Sequence, residues 1–353
     1  MKAELLDYDL PDALIARRPT TERDGARLLV LGRDALEHRR VVELAELVPE
    51  RSLVVLNDTR VRRARVFGTR RGSGGRVELL FLTPGAPLPD GRERWLALGR
   101  ASKPLRDGTL IDVEQLEIAV LGRDAEGVLE LAVRAAEPVE HVLERVGHVP
   151  IPPYLGRDDE PDDLERYQTV YARRTASVAA PTAGLHLTAP IFERLATRGV
   201  EVEKLELEVG LGTFRPVTVD ELGEHPMHAE RFEIGAALQS AVERARGRGA
   251  AVVAVGTTVV RALESAADAA RPGHVRAGAG VARLLIQPGY RFQVVDALLT
   301  NFHQPRSTLL ALVAAFAGYD RTFSAYREAV QRGYRFLSYG DAMWIPERLE
   351  ARG

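Results

Sequence analysis

The stretch Ser177–Thr188, SVAAPTAGLHLT, constrains the fold more than any other. Ser177–Ala180 is short, apolar and partly β-branched, which predicts the end of a buried strand. Pro181 stops it. Thr182, Ala183 and Gly184 make a tight loop of small residues, with His186 at its far end. Thr188 offers the hydroxyl of a helix N-cap, Pro190 is tolerated in the first turn, and Gly199 is a stop signal. Val200–Val209 predicts the next strand, ending in a second glycine loop, Gly210-Leu211-Gly212-Thr213-Phe214. Two consecutive strands thus end in close-approach loops with polar side chains. Open α/β sheets and barrels hold ligands at such ends.

A chain of 353 residues with 45% hydrophobic content has room for a large domain and a smaller one. No apolar run reaches the ~18 residues of a membrane span. The first residues, MKAELLDYDLP, carry acids and no apolar core, so they do not read as a secretory signal, and a cytoplasmic location is expected. The sequence contains no cysteine, which excludes disulfides, Cys-ligated zinc, a cysteine nucleophile and a Cys-bound iron–sulfur cluster. A formal charge of −2 gives no global field for a nucleic acid, so any such binding needs a local patch.

Residues 1–62 predict a helix over Asp12–Arg17, a strand at Arg27–Leu31, a short helix at Val41–Leu47 and a buried strand at Ser52–Leu56. That strand runs into Asn57-Asp58-Thr59-Arg60, either a ligand-facing loop or an Asx-turn. Residues 63–149 change character. Short β-rich runs recur at Arg65–Thr69, Arg76–Leu82, Arg94–Leu98, Gln115–Leu121 and Val128–Val133, then a helix over Pro138–Val146. The spacing predicts a small barrel-like all-β domain. Residues 150–353 return to alternating strands and helices, with strands expected at Ala251–Val255, Leu284–Gln287 and Phe292–Val295. Helices are expected at Val259–Ala270, at Thr308–Ala317 capped by Ser307, and within Gly318–Tyr339. The expected fold is therefore α/β: a larger mixed α/β catalytic domain from residues 1–62 and 150–353, with an inserted small β-barrel domain over 63–149.

Among the eight histidines, His186, His225, His228 and His303 fall in polar loops. His225-Pro226-Met227-His228-Ala229-Glu230 approaches a metal-ligand spacing, but it follows no clear helix, and acid/base or hydrogen-bond roles fit better. No metal is expected. Gly210–Phe214 lacks the third glycine and following helix of a dinucleotide fingerprint. It leaves a loop where backbone can approach a flat nucleoside and Phe214 can stack, or else an ordinary turn. Gly256-Thr257-Thr258 opens a helix, where free N–H groups favour a carboxylate, unless a threonine simply caps it. Arg60–Arg76 holds seven arginines and no acid. Such density suits a solvated face or a phosphate-backbone surface.

Taken in order, YDLP, RLLVL, LNDTRV, GHVPIPPY, YQTVYA, SVAAPTAGLH, EVGLGTFRPV, HPMHAE, VAVGTTVVRALES, VDALLTNFH, STLLALVAAFAG and YRFLSYGDAM cover almost the whole chain. This pattern resembles the S-adenosylmethionine:tRNA ribosyltransferase-isomerase family of queuosine biosynthesis. The chain departs from the family's usual residues at Thr175-Ala176, Leu187, Ala229, Gln287 and Gln304. The resemblance implies transfer and isomerisation of the ribosyl part of S-adenosylmethionine onto a 7-aminomethyl-7-deazaguanine at the tRNA wobble position. Epoxyqueuosine is formed, and adenine and methionine leave. It implies S-adenosylmethionine as substrate, no prosthetic group, tRNA as partner and a monomer without a stable protein partner.

The sulfonium acidifies the neighbouring 5′ carbon, so a base is needed there, with an acid for adenine and donors for a developing alkoxide. The catalytic candidates are His186, His228 and His303, with Glu230 and Asp58 orienting them or competing as base. Candidates for substrate binding are Thr59, Arg60, Thr182, Gly184, Gly210, Gly212, Thr213, Phe214, Thr257, Thr258 and Asn301. Arg62, Arg63, Arg65, Arg70 and Arg71 are the candidates for gripping tRNA. An RNA methyltransferase using the same donor, and an RNA-binding protein without catalysis, are the competing readings. Adenosylhomocysteine as product would mark the first, and failure to bind S-adenosylmethionine in the presence of tRNA the second.

Overall fold

The computed structural model describes residues 1–210 and 217–348; the loop residues Gly212, Thr213 and Phe214 lie outside them. The chain opens with β1 (Arg27–Leu31), β2 (Leu36–Arg40), α1 (Leu44–Leu47), β3 (Leu53–Asn57) and β4 (Thr59–Val61). Next come β5 (Arg65–Arg70), β6 (Arg76–Pro84), β7 (Glu93–Ala101), β8 (Leu110–Val113), β9 (Leu116–Arg123), β10 (Leu129–Arg134) and α2 (Val139–Val146). After α3 (Asp163–Arg166) and β11 (Arg174–Ser177), the chain forms α4 (Ala189–Thr197), β12 (Glu201–Leu207), β13 (Glu230–Ile234) and α5 (Ala236–Gly247). It finishes with β14 (Val252–Val255), α6 (Thr257–Ser265), β15 (Gly278–Ala282), β16 (Ala297–Asn301), α7 (Thr308–Ala317), α8 (Tyr319–Gln331) and β17 (Ala342–Ile345).

Nine strands form one mixed sheet in the order β15-β13-β12-β3-β14-β16-β17-β1-β2. Its centre, β12-β3-β14-β16, is parallel, and β14 is buried along its whole length, as a strand covered on both faces must be. Alternation along the strands feeds two cores. Val55, Ala254 and Leu298 pack with Val259, Leu263 and Leu310 on one face. Val54, Val253 and Leu299 pack with Leu187, Ile191 and Leu195 on the other.

β5 to β10 close into an antiparallel barrel, β10-β7-β6-β5-β8-β9. Val77, Leu79 and Phe81 alternate inward along β6, and α2 adds Val139, Val142 and Leu143 to the same core. The molecule is thus a larger mixed α/β domain with an inserted small β-barrel. Two chain segments cross where the barrel joins the rest. There a Cβ on Gly147 would stand 2.0 Å from the Arg63 carbonyl oxygen, so only glycine fits.

Several predicted elements are corrected. The strand expected at Ser177–Ala180 ends at Ser177, because β11 pairs only with β4 and its register already slips after Thr175. Thr182–His186 then winds into a 3-10 turn. Thr188 occupies the N-cap position of α4, but its hydroxyl donates to Asp24 at 2.9 Å instead of capping the helix. Neither Thr257 nor Thr258 caps α6; Gly256 does so at φ +96°, a conformation open to glycine. That helix spans Thr257–Ser265, not Val259–Ala270, and the Asp12–Arg17 helix shortens to a 3-10 turn at Asp12–Leu14. Leu284–Gln287 and Phe292–Val295 are not strands. The buried Glu264 carboxylate accepts the N–H groups of Gln293, Val294 and Val295, replacing the neighbour strand that segment would need.

Candidate active site

β14 and β16 run parallel, with Val255 at the end of β14 opposite Leu299, and β16 continues two residues further to Asn301. Beyond those ends, the Pro181–Ala183 turn, the start of α6 and the Leu337-Ser338 segment border a cleft. It is lined by Tyr154, Thr182, Thr257, Thr258, Asn301, His303, Gln304, Ser307 and Ser338, among others. The first N–H groups of a helix have no intrahelical partner, so the start of α6 offers donors and a partial positive charge to a carboxylate. Thr257 and Thr258 are themselves buried there.

Two of the candidate histidines meet at this end of the sheet. His303 lines the cleft, and its Nε2 lies 2.8 Å from the Thr300 hydroxyl. Its backbone N–H donates to the Tyr326 hydroxyl at 3.0 Å, and its carbonyl accepts from Tyr8. Burial lowers its pKa to about 3, so the imidazole is neutral at any working pH. His186 sits behind the wall. The Asn301 amide donates to its Nε2 at 3.2 Å and also to the Leu337 carbonyl at 3.2 Å. Burial lowers the His186 pKa to about 4, against a partial opposing pull from Asp341. Asn301 Oδ1 is buried without a hydrogen-bond partner, an acceptor left open on a residue that lines the cleft.

His228 and Gly210 belong to a second, adjoining cleft between sheet and barrel. The sheet side gives Val178, Glu208, Val209, Gly210, His228 and Arg231; the barrel side gives Leu82, Leu98, Glu126 and Val128. Val209 lines both clefts.

The other candidates stand apart. Glu230 is buried against Arg261 at 2.6 Å, in a pair that ties β13 to α6. Asp58 lies at the β3–β4 turn, its pKa raised by burial, and it lines neither cleft. Thr59 is buried with its hydroxyl 2.7 Å from that of Ser177, while Arg60 is exposed. Gly184 packs against Tyr171, whose hydroxyl would lie 2.0 Å from an added Cβ. Among the arginines, Arg62 is buried on Glu140 and over the Trp95 ring. Arg63 donates to Gly147 and Glu144 carbonyls, Arg65 pairs with Glu78, Arg70 donates to Lys103 and Pro104 carbonyls, and Arg71 pairs with Asp112. Among the described residues, no three His, Asp or Glu side chains gather as a metal site.

Sequence reasoning missed Tyr154, Ser307 and Ser338 as wall residues. Tyr154 stood in a proline-rich connector and Ser307 read only as a helix cap. Its cap bond to Leu310 N–H exists, at 3.2 Å.

Comparison with known proteins identifies the family. The family model described as queuosine biosynthesis protein matches residues 3–345. A Sorangium cellulosum protein named S-adenosylmethionine:tRNA ribosyltransferase-isomerase is 56% identical, covering 98% of each chain. A protein of the same name from Anaeromyxobacter sp. (strain Fw109-5) is 50% identical, covering 98% of this chain and 99% of its own. The crystal structure of S-adenosylmethionine tRNA ribosyltransferase from Thermotoga maritima is 34% identical with a TM-score of 0.54, covering 97% of this chain and 99% of that one. With a family match over nearly its full length and relatives this similar, the chain belongs to the queuosine biosynthesis protein family.

Proposed function

We propose that this chain is an S-adenosylmethionine:tRNA ribosyltransferase-isomerase, moving and isomerising the ribosyl part of S-adenosylmethionine onto 7-aminomethyl-7-deazaguanine in tRNA. Epoxyqueuosine-tRNA, adenine and methionine are the products. The observation that carries the reading is the first cleft. A helix start suited to a carboxylate and a neutral, fixed histidine line it together.

S-adenosylmethionine is assigned to that cleft as follows. The methionine carboxylate meets the N–H groups of Thr257 and Thr258 at the start of α6. Asn301 Oδ1 accepts from the nucleoside. His303 is the proton carrier, positioned by Thr300, Tyr326 and the backbone bond from Tyr8. Its imidazole rests unprotonated, as a base toward the 5′ carbon must, although the same burial makes it a weak base. The resulting imidazolium, destabilised by burial, is a strong acid toward the departing adenine. His186 orients Asn301 and takes no proton itself. S-adenosylmethionine acts as a consumed substrate and no prosthetic group takes part. The protein works as a monomer on tRNA in the cytoplasm; no helix among the described residues is long and apolar enough to cross a membrane.

The test is incubation with S-adenosylmethionine and an anticodon stem-loop carrying the aminomethyl-deazaguanine base, read by mass spectrometry. Free adenine, free methionine and an RNA heavier by the rearranged ribosyl unit are expected. Adenosylhomocysteine with a methylated RNA would replace this reading with a methyltransferase.

A further inference from the structure

The second cleft has a chemistry of its own. Leu82, Leu98, Val128 and Val178 give it apolar walls from both the barrel and the sheet side. Half-buried Glu208 lines it, and none of the ion pairs among the described residues involves that carboxylate. Exposed Arg231 lines it too. His228 stands 3.9 Å from Glu126 on the β9–β10 hairpin, so the barrel adds a second acid. Apolar walls suit a flat heterocycle, an unpaired carboxylate suits a cation, and a guanidinium suits a phosphodiester. One nucleotide unites all three properties when its base bears an aminomethyl group.

We propose that this cleft receives the target deazaguanine nucleotide, with Glu208 pairing its aminomethyl ammonium and Arg231 its phosphodiester. The proposal rests on the reaction proposed above, because that reaction supplies the cationic base. Continuity of the clefts supports it: both are lined by Val209, so the acceptor amine and the donor ribose become neighbours across one residue. The arrangement gives the barrel a role in acceptor recognition through Leu82, Leu98, Val128 and Glu126.

Binding of two anticodon stem-loops tests it at fixed salt, one carrying the aminomethyl base and one an uncharged cyano-deazaguanine at the same position. The wild-type protein should prefer the aminomethyl RNA about tenfold or more, the scale of one charge-assisted hydrogen bond. Glu208→Gln should bring that preference to about twofold or less, leave S-adenosylmethionine affinity unchanged, and regain part of the preference as Glu208→Asp. Arg231→Gln should weaken both RNAs alike and keep the preference. A full preference in folded Glu208→Gln overturns the ammonium assignment, and unchanged affinity in Arg231→Gln overturns the phosphodiester assignment. If wild-type protein turns over the aminomethyl RNA while Glu208→Gln keeps its preference, the reaction stands and the subsite falls. If wild-type protein releases no adenine, the reaction itself falls and this subsite with it.

Discussion

His186 and His303 are both buried and both neutral, yet only His303 lines the cleft. Substitution should therefore separate them. His303→Ala should lower kcat by about 10² or more, with the KM for S-adenosylmethionine little changed, because it removes the proton carrier. In His186→Ala the carrier remains and the Asn301 amide loses one acceptor. Its KM should rise more than its kcat falls, by steady-state kinetics. A pH effect on stability follows from the same burial. Folded pKa values of about 3 and about 4 lie below the ordinary histidine value near 6.5, so in that interval the unfolded chain binds more protons. Stability contributed by each neutral histidine is complete above pH ~6.5 and is lost as pH falls, at up to about 1.4 kcal/mol per pH unit for each. Urea unfolding between pH 7 and pH 5 should show this slope, and His303→Gln should make it shallower. An unchanged slope would mean that His303 is not held neutral by the fold.

At the scale of elements, α6 does two things at once. Its first residues wall the cleft, and its body holds two buried charges in place. Arg261 pairs with Glu230 and also donates to the Ala282 carbonyl at 3.2 Å, linking α6 to β13 and β15. Glu264 accepts from Gln293, Val294 and Val295 and from the Tyr290 hydroxyl, fixing the segment before β16. Removing one partner of a buried pair strands the other charge, at a cost of about 3–5 kcal/mol. Glu230→Ala should thus lose stability by that order in denaturant unfolding; a stable variant with lost turnover would instead restore Glu230 as a catalytic residue.

These two carboxylates also mark where the sequence stopped being legible. β1 and α7 were readable to the residue from their apolar patterns, because burial on a sheet or helix face writes itself into period and caps. Phe292–Val295 has a strand's composition, but its N–H groups go to a side chain 29 to 31 positions away, which no local pattern records. β2, with Leu36 followed by exposed residues, carries no apolar alternation because it closes the sheet edge. The same limit applies to the site. Strand-end loops were visible as glycine, threonine and histidine clusters, and Thr257, Thr258, Asn301 and His303 do meet. That His228 lines a different cleft, with barrel residues, depends on how two distant segments pack.

For the whole molecule, the question is which arginines near the barrel face a nucleic acid. Dense arginine in Arg60–Arg76 suggested a single phosphate-gripping run, but its members have different duties. Arg62 crosses the junction, with its guanidinium on Glu140 and on the Leu82 carbonyl at 2.8 Å. Together with the Arg63–Gly147 crossing, it fastens the barrel to the sheet domain. Arg60 and Arg76 are exposed, and neither belongs to an ion pair among the described residues. A buried cation that already holds a carboxylate has no counterions to release, whereas an exposed one does. Replacing Arg60 and Arg76 together by Ser should therefore flatten the salt dependence of tRNA binding by about one to two in log–log slope, without altering the unfolding midpoint. Arg62→Ala should do the reverse, lowering the midpoint by stranding Glu140 and leaving the slope nearly as it was. Stem-loop binding across a salt series, with thermal unfolding of each variant, separates the two duties. A flattened slope in Arg62→Ala would mean that the junction opens to RNA, and an unchanged slope in the double variant would move the phosphate surface off this run.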